Sequence, residues 1–378
     1  MSAYDAVIVG GGIIGGSIAL ELSRRNLRVL LLDRQRPGEE ASWAAAGMLS
    51  PAPENPDSIP LVPLARASLA LYPQFITAVE ELAECKVGYR RNGTIEILFA
   101  ANAERELSTL VALHHGLGLP TEPLRLEDAW QMEPALSREA RATALLPDEG
   151  SVDNRALTAA VLGAAKKQSV EICAGIAVGS LLREAGRCLG VVAGSQTFRA
   201  GEVVIAAGTC TGEIAGLRPY APTRPVRGQM VALQSSGVSL RRVLRSGRGY
   251  IVPRDDARPQ KLVAGSTLEN AGFEKGITAG GLAGILNAVT EMVPSLAGAA
   301  IVETWSGLRP DTPDHLPVLG PTDLKGLTIA TGHYRNGILL APITAKLICE
   351  WLTERRTSLP LEPFSPMRFQ TAKGQTAN

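Results

Sequence analysis

A two-part α/β architecture is what the chain predicts: a discontinuous Rossmann-like dinucleotide-binding domain and an α+β substrate domain built on an antiparallel sheet. Three observations carry this. A strand, a glycine-rich turn, a helix and a second strand ending in an acid follow one another within residues 6–33. Buried-strand patterns of the same kind return at 202–208 and 327–331, long after the first unit has closed. From 218 to about 302 the texture changes to short strands and turns. Units of βαβ type separated in this way read as one nucleotide-binding domain interrupted by another.

The first unit is the most informative. Residues 6–9 are apolar and rich in valine and isoleucine, as a buried parallel strand requires. Gly10, Gly12 and Gly15 follow in G-x-G-x-x-G spacing and lead into a helix at 13–24. Gly10 permits the tight turn, Gly12 lets a pyrophosphate approach the main chain, and Gly15 lets the helix pack closely on the strand. The helix start offers free N–H groups and the positive end of its dipole. A second strand at 28–32 ends in Asp33, where a carboxylate bonds an adenosine ribose. Glycine turns alone are often only structural; strand, glycines, helix, strand and acid in register make a dinucleotide site.

Composition bounds the rest. A length of 378 residues suits two domains, and 45% apolar residues supply a large core. With 38 basic and 37 acidic side chains nothing suggests a nucleic-acid surface, and Arg224, Arg227, Arg241, Arg242, Arg245 and Arg248 read as a solvated face. Cys85, Cys173, Cys188, Cys210 and Cys349 are scattered without C-x-x-C spacing, which predicts reduced, mostly buried thiols in a cytoplasmic protein rather than a disulfide frame or metal site. The N-terminus runs straight into the first strand, with no room for a signal peptide, and no apolar run reaches the ~18 residues of a membrane span.

After Asp33 and Arg34 comes a loop, then small residues over 41–49, including Ala41, Ser42, Ala46, Gly47 and Met48. Such a run lets a backbone lie against a flat ligand, and its position after the ribose acid favours that over a plain alanine helix. Four prolines in 51–60 mark an exit loop, 61–84 has helical periodicity, and 93–100 alternates like a strand. A helix over 103–116 carries His114 and His115, which do not share a face and read as surface or loop-end residues. A turn at 148–153 leads to a helix at 154–168, a strand pair at 170–173 and 178–183, and a hairpin at 190–192 and 197–199. In the second region, 228–233, 249–253 and 261–267 look antiparallel and 280–292 helical. Residues 301–310, 327–331 and a helix from about 336 to 353 return to α/β character, and the polar tail after Phe369 reads as disordered.

A dinucleotide site leaves NAD(P) and FAD open. The candidate contact strands are scattered from the first residues to the last helix, so one extended cofactor threads the fold, which favours FAD. Arg309 and Arg335 lie in turn-like segments near strand ends, where α/β sites form, and a guanidinium fork suits a carboxylate. For either arginine alone a surface ion pair is an equal alternative.

Five segments carry a resemblance to a known family. They are Val9 to Gly15, Ala44 to Leu49, Tyr250 to Arg254, Gly307 to Pro310, and His333 to Pro342. In order and over nearly the whole chain they resemble the FAD-dependent amine oxidases related to D-amino acid oxidase, and within them the bacterial glycine oxidases of the thiamine-pathway type. The resemblance implies that Ile13 and Ile14 sit at the pyrophosphate turn and Asp33 and Arg34 beside the adenosine. Ala41, Ser42, Ala46, Gly47 and Met48 then line the path to the flavin ring, and the Val178 backbone holds the adenine. His333, Tyr334, Arg335, Asn336, Gly337, Ile338 and Leu339 wrap the ring. Arg309 takes the substrate carboxylate, Tyr250 donates a second hydrogen bond, and Arg335 contributes near the amine through its main chain. Leu268 stands where relatives carry a methionine, which leaves pocket size open. No cysteine follows the arginine motif in 311–320, unlike the covalent relatives such as monomeric sarcosine oxidase, so the FAD is expected to be non-covalent.

The implied reaction is oxidation of glycine or another small amino acid (sarcosine, D-alanine, D-proline) to an imino and then an oxo acid, with ammonia and hydrogen peroxide as products. A D-amino acid dehydrogenase passing electrons to a quinone or carrier is the alternative. The implied partners are the amino acid and oxygen, with no nucleic acid and no membrane span, in a homo-oligomer of tetrameric kind. Residues 1–50, 146–216 and 304–360 are assigned to the FAD-binding domain, 51–145 and 217–303 to the substrate domain, and 361–378 to a C-terminal tail.

Overall fold

The computed structural model describes residues 4–53 and 55–371. Two eight-stranded sheets form its frame. In the first, Tyr4–Val9 lies between Val29–Leu32 and the long strand Gln196–Ile205, parallel to both, with Val9 opposite Leu32 and Ile205. Glu171–Cys173 extends the parallel array beyond Val29–Leu32, and Leu327–Thr331 extends it beyond Gln196–Ile205. The chain order therefore reverses on the two sides of Tyr4–Val9, and the crevice at its carboxyl end is where such sheets bind ligands. The strand is followed by helix Ile13–Ser23, whose residues are buried at ten of eleven positions, because helices Asn154–Lys167 and Gly337–Glu354 cover its outer side.

The helix Val62–Ala83, extended at its start by the turn Pro56–Leu61, packs one face on this layer through Leu64, Leu69, Tyr72, Ile76 and Val79. Pro342 has no N–H to give the Ile338 carbonyl one turn back, and the buried Tyr72 hydroxyl donates to that carbonyl instead. Ser68 donates to the neighbouring Leu339 carbonyl at 2.6 Å. The segment 56–83 is long and apolar enough to cross a membrane by length and composition alone, although Arg66 interrupts its apolar run. Its buried stripe is nevertheless packed in the core described here.

The second sheet runs in the order Ala300–Asp311, Arg224–Ser235, Gln260–Gly265, Gly249–Pro253, Val243–Ser246, Thr94–Leu98, Ala142–Leu146, Glu122–Leu124. It is antiparallel except for the pair Val243–Ser246 with Thr94–Leu98. Helix Ala279–Met292 covers one side through Ile285, Val289 and Met292.

Several expectations change. The segments at 170–173 and 178–183 do not pair with each other: the first joins the parallel sheet, and the strand Ser180–Glu184 joins the hairpin with Arg187–Ala193. The strand Ala300–Asp311 does not return to the α/β layer but pairs antiparallel with Arg224–Ser235 along almost its whole length. A division at 304 thus cuts a strand of the second sheet. Strands at Glu122–Leu124, Ala142–Leu146 and Val243–Ser246 and the helix Leu126–Met132 escaped the sequence, being short and without clear periodicity. Of the cysteines, Cys188 and Cys349 are buried, Cys173 and Cys210 half-buried and Cys85 exposed, so the thiols are less buried than expected, and all five are free. Phe364 is buried and Arg368 pairs with Asp314 at 2.7 Å, so the chain remains packed well past 360; residues 372–378 of the expected tail lie outside the described residues.

Candidate active site

One cavity of about 720 Å³ runs from the glycine turn to the second sheet. That volume lies within the ~300–1,000 Å³ usual for ligand sites. Its first wall is main chain. Gly10 has φ +109°, and a Cβ there would stand 2.3 Å from the Ala206 carbonyl oxygen. Gly15 is closer still: its Cβ would lie 1.9 Å from the Gly10 carbonyl oxygen, so helix and turn touch without a side chain between them. Gly15 itself is off the cavity wall, as is Leu339, which is buried in the core.

Asp33 folds over the turn. One carboxylate oxygen accepts from Gly11 N–H at 2.7 Å and the other from Gln35 N–H at 2.9 Å. Ser42 Oγ accepts from Ile13 N–H at 2.9 Å, tying the small-residue run to the helix start. Ala41–Ala44 is a short helix, and the chain then turns at Gly47, with φ +75°, into the short strand Met48–Leu49; Ala46, Gly47 and Met48 all line the cavity with Arg34, Ile14 and Val178. At the other end, His333, Tyr334, Arg335, Asn336, Gly337 and Ile338 line the wall where Gly337–Glu354 begins, its amide end toward the cavity. The His333 ring is buried and its Nε2 lies 3.1 Å from Thr344 Oγ1. Burial pushes its pKa down to about 3, so the ring is neutral and structural. Tyr334 adopts φ +49°, stacks its ring on His315 at 5.4 Å, and donates its N–H to the Pro310 carbonyl.

The second wall is made of side chains standing on the second sheet. Arg309 Nη2 donates to Ser266 Oγ at 2.7 Å and Nη1 to the Thr267 carbonyl at 3.1 Å. It lies across Gly228, where a Cβ would sit 2.1 Å from Nη1. Tyr250, three strands along the sheet from Arg309, points its hydroxyl toward Met230 Sδ at 3.5 Å. Leu268 lies on the rim and is 54% exposed. Sequence reasoning found Arg309, Tyr250 and Leu268 but missed Ser266, Thr267 and Gly228, which hold the guanidinium; nothing in their local spacing marks them.

Two further corrections belong here. His114 is buried, not a surface residue: Nδ1 lies 2.8 Å from Thr121 Oγ1, and burial, helped by Arg245, lowers its pKa to about 4. The arginine stretch is a solvated face only in part: Arg224, Arg241 and Arg248 are exposed, whereas the other three are half-buried and paired. Arg227 pairs with Glu269, Arg242 with Glu133 at 3.6 Å, and Arg245 with both Glu96 and Glu149, because carboxylates from distant segments neutralise them. Burial pushes the Glu149 and Glu133 carboxyls above their usual range. Among the described residues no group of three or more His, Cys, Asp or Glu stands ready for a metal.

A glycine cradle at a sheet switch point, an acid at the next strand end and a second helix start at the far wall fit an extended dinucleotide, and the wall of small residues between them leaves room for a flat ring. This is the layout of an FAD-dependent oxidoreductase. The chain belongs to the FAD-dependent oxidoreductase family, DAO, whose pattern matches residues 5–351. It is 35% identical to a glycine oxidase from Geobacillus kaustophilus over 97% of each chain, and 35% identical to a bifunctional ThiO/ThiG protein from Trichormus variabilis over 98% of this chain. The chain spans only about half of the latter, 56% of its length. Among solved structures, it superposes on glycine oxidase from G. kaustophilus with a TM-score of 0.91 at 33% identity, covering 97% of this chain and 98% of that one. It superposes on iminodiacetate oxidase from a Chelativorans species with a TM-score of 0.87 at 27% identity, covering 96% and 98%. FAD is the cofactor of this family.

Proposed function

We propose that the chain is a glycine-oxidase-type enzyme that oxidatively deaminates glycine or another small amino acid. Arg309, held across Gly228 by Ser266 and Thr267 on the cavity wall, is the observation that carries this. A guanidinium held at two points keeps one orientation on the cavity wall, and a carboxylate is the ligand its charge and planar fork suit best. Tyr250 supplies a second hydrogen bond to the same carboxylate, and Arg335 offers its main chain near the amine. Clamped at the carboxylate, the substrate is turned so that its Cα–H faces the cofactor, a gain in orientation rather than acid–base chemistry. When bound, non-covalent FAD would supply the hydride acceptor for Cα–H and the route by which the electron pair reaches oxygen, released as hydrogen peroxide. The amine loses a proton to solvent as its C=N bond forms, and water converts the imine to an oxo acid and ammonia.

The cofactor contacts in this reading are those of the cradle: Gly10, Gly12, Ile13, Ile14, Asp33 and Arg34 for the adenosine diphosphate, Ala41, Ser42, Ala46, Gly47, Met48 and 333–339 toward the ring, and the Val178 backbone at the adenine. His333 and Leu339 serve through their main chain, since one ring and one side chain are turned into the core. A place in thiamine biosynthesis, a cytoplasmic location and a homo-oligomeric state belong to the same proposal. The likeness to glycine oxidase and ThiO-bearing relatives supports the first, and the five free thiols the second.

The test is an anaerobic titration of the purified flavoprotein with glycine, followed by air. Bleaching of the flavin band and its return with peroxide release is the expected outcome. Bleaching by D-alanine or D-proline alone moves the substrate, and bleaching that only a dye reverses makes the protein a dehydrogenase.

A further inference from the structure

The small-residue run at 41–47 has little secondary structure of its own beyond the short helix Ala41–Ala44. Something else must hold it against the cavity. Asn154, fully buried at the start of helix Asn154–Lys167, gives both amide hydrogens to it: Nδ2 donates to the Ser42 carbonyl at 2.7 Å and to the Trp43 carbonyl at 3.0 Å. The Asn154 side-chain Oδ1 in turn accepts from Arg254 Nη2 at 2.6 Å, and Arg254 Nη1 donates to the Val152 carbonyl at 2.9 Å. Val152 closes the circle. Its N–H donates to the Gly47 carbonyl at 2.9 Å, and a Cβ on Gly47 would stand 2.0 Å from the Val152 carbonyl oxygen.

Arg254 comes from the other sheet. It follows the strand Gly249–Pro253, four residues after Tyr250. Among the described residues its hydrogen-bond partners are a carbonyl and an amide, and no carboxylate forms an ion pair with it. Desolvation lowers its pKa, only partly opposed by Asp153. Enclosing a cation without a paired charge is costly, so a part-buried arginine in this setting calls for a role beyond packing.

We propose that Arg254 and Asn154 are positioning residues for the cofactor: a two-residue strut from the second sheet that sets the height of 42–47 in the cavity. The strut acts on that segment and not on Tyr250. Tyr250 is held by its own ladder with Gln260–Gly265, whereas 42–47 takes its hydrogen bonds from Asn154, Val152, Ile13, Arg155 Nε (to the Trp43 carbonyl at 3.3 Å) and the Trp305 indole, which donates to Ala44 at 3.0 Å. The inference rests on the proposal that 41–48 faces FAD.

The experiment is FAD binding to apoprotein, followed by flavin fluorescence, for wild type, Asn154→Ala, Arg254→Met and Arg254→Lys. The dissociation constant should rise at least tenfold for Asn154→Ala and Arg254→Met and less for Arg254→Lys, which keeps the charge and loses the fork. The visible band of the bound flavin should shift in the same order. The rise in melting temperature that FAD confers should shrink more than the apoprotein's own melting temperature falls. At saturating FAD the KM for glycine should stay within about threefold of wild type. FAD affinities within threefold of wild type for all three variants overturn the proposal, as does a weakening confined to apoprotein stability. If Arg254→Met does not fold, Asn154→Ser and Arg254→Lys carry the comparison. Failure of the wild type itself to bind FAD, or to be bleached by any amine, strikes the assignment of the site and is read from a separate sample.

Discussion

The two walls of the cavity are built on different principles. The parallel-sheet wall presents backbone: a glycine turn, an acid bonded to main-chain N–H groups, a strip of alanines and a helix start. The wall on the second sheet presents side chains, Arg309, Tyr250 and Met230, each standing on a different strand and steadied by residues tens of positions away. Recognition through backbone tolerates few changes at the glycines but asks little of distant residues. Recognition through side chains tolerates changes in spacing but depends on partners that only the folded sheet brings together. The first suits a cofactor of fixed shape, and the second a substrate whose identity varies between relatives.

That contrast is easiest to break at Gly15. A methyl group there overlaps the Gly10 carbonyl oxygen at 1.9 Å, a backbone atom that cannot step aside. Gly15→Ala is expected to cost ~1–3 kcal/mol or more in stability and to yield protein without a flavin band after FAD is added. Retention of a full flavin band would mean that the turn gives way and that the cradle is less rigid than its geometry. Arg309→Ala should do the converse. Loss of a hydrogen-bonded charge clamp costs ~2–5 kcal/mol, roughly 30- to 5,000-fold in kcat/KM for glycine, with the FAD dissociation constant unchanged. Stopped-flow reduction by glycine at several concentrations separates the two, and a parallel loss of FAD affinity would erase the distinction between the walls.

The same contrast explains what was legible in the sequence. Gly10, Gly12, Gly15 and Asp33 announce themselves because their roles are set by spacing along one strand, turn and helix. Arg309 and Tyr250 were reached through the resemblance of their motifs, not through local pattern. Their supports, Ser266, Thr267, Gly228, Asn154 and Arg254, carry no local signature, since what makes them functional is a register between strands far apart in the chain. His114 was misjudged for the same reason: its helix face is decided by Thr121 and Arg245, which the helix alone does not reveal. The strand Ala300–Asp311 was assigned to the wrong layer because its pattern is compatible with either sheet, and its pairing with Arg224–Ser235 decides.

His333 sharpens the comparison from the backbone side. In the native protein its ring is neutral down to about pH 3, whereas an unfolded histidine gains a proton near pH 6.5. Between these values the unfolded state binds the extra proton, so stability is lost as pH falls below ~6.5, by up to ~1.4 kcal/mol per pH unit from this group. His114 acts in the same direction down to about pH 4, while Glu149 and Glu133, whose native carboxyls hold protons to higher pH, oppose it. Urea midpoints for wild type and His333→Asn from pH 7 to 5 isolate the term: the variant should be less stable at pH 7 and lose stability more slowly on acidification. Parallel curves would show that the native ring gains its proton as readily as the unfolded one, and that it reaches the cavity rather than the core.

The smallest effect is expected at Leu268. It lies on the rim beside Thr267, whose carbonyl steadies Arg309, yet its own side chain is 54% exposed and lies outside the described core clusters. A volume-conserving Leu to Met change generally costs under ~1.5 kcal/mol even inside a core, and a rim residue has less to lose. Leu268→Met should therefore change the KM for glycine by less than about threefold and leave the KM for a larger amine such as D-proline changed by no more than about tenfold. A larger shift for both amines would mean that the segment after Ser266 folds down on the substrate. The side-chain wall would then be completed only when the substrate arrives, while the backbone wall stands ready in its absence.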